Sequence, residues 1–263
     1  MPDYSCVDQP YLLQMLFYPR PDFTRHPDYA WDLFVDTEDG VRLATRFYSG
    51  GEQWPWILYF HGNGEVASDY DDLAPLYLAQ QINLVVADYR GYGASSGTPS
   101  FTHLVQDAHL LYGTVRDELD RRGYSGGLYI MGRSLGSISA LELAFHYGLS
   151  LQGLIIESGF ASINRLIYHL GLMEPNAELG KIEQECLEMI AKITIPALII
   201  HGRADMLVQL QEGELVYNTL GSADKKMLVI PGAGHNDIIA RDIPKYFGAI
   251  KNLVTGTGER SDT

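Results

Sequence analysis

Six short apolar segments, each running into or towards a glycine, set the limits on what this chain can fold into. They are WILYFHG (Trp56–Gly62), NLVVADYRG (Asn83–Gly91), GLYIMG (Gly127–Gly132), GLIIESG (Gly153–Gly159), PALIIHG (Pro196–Gly202) and KMLVIPG (Lys226–Gly232). A strand with one wet face alternates apolar and polar residues, and these do not. Strands of this kind are buried on both faces, as in a parallel sheet covered by helices. Helical spacing fills the gaps between them. Leu104, Ala108, Leu111, Val115 and Leu119 fall on one face of a helix, and Ile138, Leu141 and Phe145 on one face of another. The alternation predicts a single α/β domain with a mostly parallel central sheet and helices on both faces, and ligands bound beyond the carboxyl ends of the strands. Ahead of it, WDLFVDT and VRLATRFY flank Glu38–Gly40 and read as a β-hairpin. Residues 1–30 show no clear period.

Nothing in the chain divides it further. Its 263 residues suit one domain, and no Pro/Gly/Ser linker or repeat interrupts them. The one irregular insert, 161–195, reads either as a small lid or as a plain connecting helix with a loop. The polar stretch 255–263 is expected to be loose.

Charge and cysteine content narrow the partners. A formal net charge of -14 repels phosphate backbones and disfavours nucleic acid and, more weakly, anionic lipid. Cys6 and Cys186 are too few for a disulfide framework and lack zinc-type spacing, which suits a reducing cytoplasm. Cys6 reads as an ordinary thiol or, being near the N-terminus, as a lipid acceptor. No basic start marks a secretory signal, and no run reaches the ~18 apolar residues of a membrane helix. The expected protein is soluble and cytoplasmic, with a small-molecule or acylated substrate; its oligomeric state is not readable.

One strand carries a chemical signal. GLYIMG runs into GRSLG, which fits G-x-S-x-G at a strand-to-helix turn. Such a turn lifts the Ser134 hydroxyl clear of the sheet and sets it at a helix N-terminus, where developing negative charge is favoured. A serine hydroxyl is a poor nucleophile and needs a base. His235, in GAGHND after the last strand, can supply it. Asp205, in HGRAD after PALIIHG, can orient that histidine. The chain order Ser134, Asp205, His235 is the one a nucleophile elbow of this kind requires. Glu157 is a weaker candidate for the acid. An oxyanion needs preorganised donors. The main-chain N–H groups of Leu135 and of Asn63, in HGNGE, are the candidates. Arg133 reads as an ion-pair member or as a contact to an anionic substrate. Asp88 and Arg90 read as structural, and Tyr89 and Tyr92 as core residues or as borders of the pocket. DYRGYGASSG has the wrong spacing for a dinucleotide loop, so NAD is not expected.

Taken together, HGNG, DYRGYGASSG, GRSLG, HGRAD and GAGHND resemble the α/β-hydrolase family, over nearly the whole chain from Trp31 to the helix after His235. The branch most similar is that of minimally lidded esterases and depalmitoylase-type acyl-protein thioesterases. The resemblance implies the α/β-hydrolase fold and cleavage of an ester, thioester or amide through Ser134, with no cofactor and no metal. The N-terminal cysteine cluster of some depalmitoylases is missing here, where only Cys6 stands. Serine at the nucleophile position disfavours dehalogenation. A peptidase of the same fold and a non-catalytic binding protein are the rival readings.

Overall fold

The computed structural model describes residues 2–256. In chain order the elements are α1 (Pro10–Leu16), β1 (Ala30–Asp36), β2 (Arg42–Tyr48), β3 (Trp56–Phe60), α2 (Ala74–Leu78), β4 (Asn83–Ala87), α3 (Phe101–Arg121), β5 (Leu128–Arg133) and α4 (Ser137–Tyr147). They continue with β6 (Gly153–Glu157), α5 (Ile163–His169), α6 (Ala177–Ile190), β7 (Ala197–Gly202), α7 (Leu210–Thr219), β8 (Lys225–Ile230), α8 (Ile238–Arg241) and α9 (Ile243–Thr255). The strands form one sheet in the order β1-β2-β4-β3-β5-β6-β7-β8. The expected hairpin pairs β1 with β2, and β2 joins β4 antiparallel; every later pairing is parallel. This is the α/β-hydrolase fold.

The non-alternating strands are explained by two separate cores. In β3, Trp56, Leu58 and Phe60 point into one, while Ile57 and Tyr59 point into the other. β5 divides the same way, Leu128 and Ile130 against Tyr129 and Met131. The first core is covered by α3, α4 and α6, and the second by α2 and α9. Both faces are dry, so both sets of side chains are apolar.

Two elements depart from the sequence reading. The segment KMLVIPG forms β8, but as an edge strand whose residues are mostly half-exposed rather than buried. Residues 1–30, without a visible period, contain α1, which buries Leu12 and Leu16. The insert 161–195 contains α5 and α6, and α6 packs Leu179, Ile182, Cys186 and Ile190 into the first core. Of the stretch 255–263, Thr255 ends α9, and residues from 257 on lie outside the described residues.

The turn after β5 is tightly enclosed. A Cβ on Gly136 would sit 2.1 Å from the Phe60 carbonyl oxygen at the end of β3 and 2.8 Å from the Tyr89 hydroxyl. The backbone of the turn therefore rests directly on the neighbouring strand. Gly136→Ala is expected to destabilise the protein by about 1–3 kcal/mol or more, read as a lower urea midpoint. An unchanged midpoint would show that the turn can back away from β3.

Candidate active site

Ser134 follows β5 directly and opens a single 3-10 turn, Ser134–Gly136, from which α4 starts. Its φ is +51°, in the left-handed region that side-chain-bearing residues avoid. Such a conformation costs on the order of 1–3 kcal/mol and persists only where the surroundings impose it. Here β5 fixes one side of the turn. On the other, the Ser137 hydroxyl donates to the Ser134 carbonyl at 2.7 Å.

The other two candidates arrive from parallel strands further along the sheet, β7 and β8. Asp205 lies just beyond β7, and its Oδ1 accepts from the main-chain N–H groups of Leu207 and Val208 at 3.0 and 2.9 Å. Those bonds fix the carboxylate and leave Oδ2 free to face His235. His235 sits in the loop after β8. Its Nδ1 lies 2.7 Å from Asp205 Oδ2, and its Nε2 lies 3.0 Å from Ser134 Oγ. The structure thus brings Ser134, His235 and Asp205 into one hydrogen-bonded row above the carboxyl ends of β5, β7 and β8. Burial pushes the Asp205 carboxyl up, but the hydrogen bond and charge of His235 and the Val208 N–H outweigh it and hold the pKa below the ordinary value. Asp205 is therefore an anion at neutral pH, facing Nδ1 as an acceptor.

Beneath Asp205 lies His201, on β7 and fully buried. Its Nε2 is 2.8 Å from the Val208 carbonyl, and burial lowers its pKa, so it sits there as a neutral donor bracing the Asp205 loop.

Asn63 lies in the loop after β3, across from the turn. Its side chain is fully engaged: Oδ1 accepts from the Tyr18 N–H and the Tyr92 hydroxyl, and Nδ2 donates to the Leu16 carbonyl. Among the described residues, no acceptor meets the main-chain N–H of either Asn63 or Leu135. Tyr89 and Tyr92 are buried, and the Tyr89 hydroxyl donates to the His61 carbonyl. Asp88 and Arg90 serve the frame: Asp88 accepts from the Ala67 N–H, and Arg90 pairs with Asp107 and Asp39.

Arg133 is the residue the sequence underrates. It pairs with Glu65 from the Asn63 loop and with Glu157 from the end of β6. Its remaining nitrogen donates to the His235 carbonyl at 2.8 Å and to Asn236 Oδ1 at 3.0 Å. Glu157 makes no bond to His235. It is held by Arg133 and by the Tyr246 hydroxyl, which leaves Asp205 as the acid in contact with the imidazole. The two carboxylates respond oppositely to one cation. Burial raises the Glu157 pKa beyond what Arg133 can offset. At Glu65, burial also acts upward, but Arg133 and His61 overcome it and the pKa falls. A Cβ on Gly62 would lie 2.3 Å from Arg133 Nη1, so the glycine makes room for the guanidinium.

Cavity volume does not mark this site. A cavity of about 480 Å³ opens beside Arg133, walled by Tyr59, Tyr70, Leu73, Leu76, Ile239 and Ile243, and neither Ser134 nor His235 lines it. The convergence of nucleophile, imidazole and carboxylate is the stronger chemical criterion.

Comparison with known proteins agrees with the fold. The model of the serine aminopeptidase S33 family matches residues 53–176 and 174–240. The chain belongs to that family of α/β-hydrolases. It is a hydrolase by descent. The chain is 28% identical over 230 residues to the uncharacterized protein Rv2307c of Mycobacterium tuberculosis, covering 86% of this chain and 79% of that one. It is 28% identical over 222 residues to human alpha/beta hydrolase domain-containing protein 17B, covering 82% and 72%. Among solved structures, the Pyrococcus furiosus esterase Pf2001 superposes with a TM-score of 0.73 at 19% identity, over 91% of this chain and 98% of that one. Among the described residues, no helix is long and apolar enough to cross a membrane.

The buried charge cluster makes a prediction of its own. Arg133→Met leaves Glu65 and Glu157 without their common cation, and the expected loss is about 3–5 kcal/mol by urea denaturation at neutral pH. A loss below 1 kcal/mol would show that the guanidinium does not hold the rim together.

Proposed function

We propose that the protein hydrolyses carboxylic esters, thioesters included, through an acyl-enzyme on Ser134. The observation that carries this reading is the row Ser134 Oγ, His235 Nε2, His235 Nδ1 and Asp205 Oδ2, with links of 3.0 and 2.7 Å. Ser134 Oγ attacks the acyl carbon while His235 Nε2 takes its proton. Asp205 keeps the other nitrogen protonated and stabilises the imidazolium that forms. The main-chain N–H groups of Asn63 and Leu135 receive the oxyanion. His235 then gives its proton to the departing alcohol or thiol. In the second half, water attacks the acyl-enzyme, His235 removes its proton, and Ser134 leaves with it. None of these steps uses a cofactor.

Ester rather than peptide cleavage is favoured by the carboxylates around the row. An aminopeptidase needs a free anion for the substrate ammonium, whereas Glu65 and Glu157 are bound to Arg133, and Glu212 to Arg165. The esterase neighbour supports the same choice. The thioester arm rests on the resemblance of the motifs to the depalmitoylase-type branch. Within 161–195 we take α5 as the cap beside this site, since it stands against the Asp205 loop around a small cavity lined by Phe160, Leu166 and Val208, while α6 belongs to the layer covering the sheet.

The test is turnover of nitrophenyl esters and acyl-thioesters across a range of chain lengths. Ser134→Ala and Asp205→Asn are expected to lower kcat by at least about 10³-fold while circular dichroism and urea midpoint stay near wild type. Wild-type turnover in a folded Ser134→Ala protein would remove the reading. Cleavage of aminoacyl-nitroanilides in place of esters would convert it to a peptidase.

A further inference from the structure

A second cluster of reactive side chains lies between α3 and α4. His109 comes from α3, and Glu142 and His146 come from α4, spaced so that they share one helix face. His146 Nε2 lies 2.7 Å and His109 Nε2 3.3 Å from the same oxygen, Glu142 Oε1. One ligand atom from each of the three falls within 4.8 Å of the others. We propose that these residues form a binding site for a divalent transition-metal ion, with zinc as the natural occupant.

Four observations support this. First, an ion with ligands at about 2.0–2.2 Å in tetrahedral array keeps them about 3.3–3.6 Å apart; His109 Nε2 already stands 3.3 Å from Glu142 Oε1, and the 2.7 Å contact of His146 Nε2 need only lengthen slightly to admit the ion. Second, Glu142 is 1% exposed, and its other oxygen, Oε2, has no hydrogen-bond partner among the described residues. A buried carboxylate left in that state is costly unless a cation compensates it. The ion pairs of Glu142 are with the two imidazoles, in contrast to Glu118, which draws on Arg121 and Arg122. Third, His109 Nδ1 lies 2.9 Å from the Tyr147 hydroxyl. With an ion bound, Nδ1 would carry the proton and donate it to the tyrosine oxygen, an outer partner that orients the ring with Nε2 towards the metal. Fourth, the side chains of His109 and His146 are 22% and 37% exposed, which gives an ion a way in and leaves room for water as a fourth ligand.

Two imidazoles and one carboxylate suit zinc and its neighbours, whereas magnesium and calcium prefer oxygen throughout. Glu142 stands eight residues beyond Ser134, on the order of 12 Å along the helix, so the ion would take no part at the nucleophile. Its effect would be to tie α3 to α4, the helix that springs from the Ser134 turn.

The experiment is calorimetric titration of the chelator-treated full chain with zinc chloride, together with thermal melting. Wild type is expected to bind one equivalent, and its melting temperature to rise by about 5 °C at zinc a hundredfold over Kd. His109→Ala and His146→Ala should each weaken binding at least tenfold, and Tyr147→Phe about tenfold. His146 is the more exposed of the two histidines, so His146→Ala should fold; its own melting curve without zinc checks this. His235→Ala should still bind one equivalent, which separates this site from the imidazole beside Ser134. Absence of stoichiometric binding by wild type, unchanged binding in both cluster histidine variants, or loss of binding in His235→Ala would overturn the proposal.

Discussion

A buried guanidinium joins four parts of the chain where the parallel strands end. Arg133 closes β5, one residue before Ser134. It holds Glu157 at the end of β6, Glu65 in the loop that carries Asn63, and the backbone of His235. Each of those segments reaches the rim from a different strand. The buried Glu157 and the half-buried Glu65 repel each other, and the cation between them turns that repulsion into a fixed distance. The geometry at Ser134 therefore depends on a charge cluster that makes no hydrogen bond to the Ser134 hydroxyl itself.

The same logic runs through the rest of the site, where each reactive group is held by partners outside the chemistry. Asp205 is pinned by the N–H groups of Leu207 and Val208 and underlain by His201. Asn63 is clamped by Leu16, Tyr18 and Tyr92, so the N-terminal segment helps shape the loop that presents its main-chain N–H. Ser134 itself is held at positive φ. Preorganisation of this kind lets donors face a developing charge without reorganising during the reaction.

Much of this was legible in the sequence, for physical reasons. Two-sided burial leaves an unbroken apolar signature, so the inner strands and their order of appearance were plain. A nucleophile, an acid and a base each just past a strand end, in one required chain order, pointed to the row at Ser134. What was not legible depends on neighbours. β8 reads like a buried strand, but it lies at the sheet edge and half exposes its side chains. The short α1 has only two buried residues to mark it and is tied down by Asn63, far along the chain, which donates to its last carbonyl at Leu16. Arg133 was an ambiguous cation until Glu65 and Glu157 came to lie on either side. His109 and Glu142 are 33 residues apart, and only the packing of α3 on α4 brings them together.

Active-site labelling is the most direct measurement of the central claim, because it reads the nucleophile itself without assuming a substrate. Folded wild-type protein treated with a fluorophosphonate should gain the mass of one adduct, and peptide mapping should place it on Ser134. His235→Ala should label far more slowly. A folded protein that takes up no adduct, or carries it on another residue such as Ser137 or Ser158, would contradict the account.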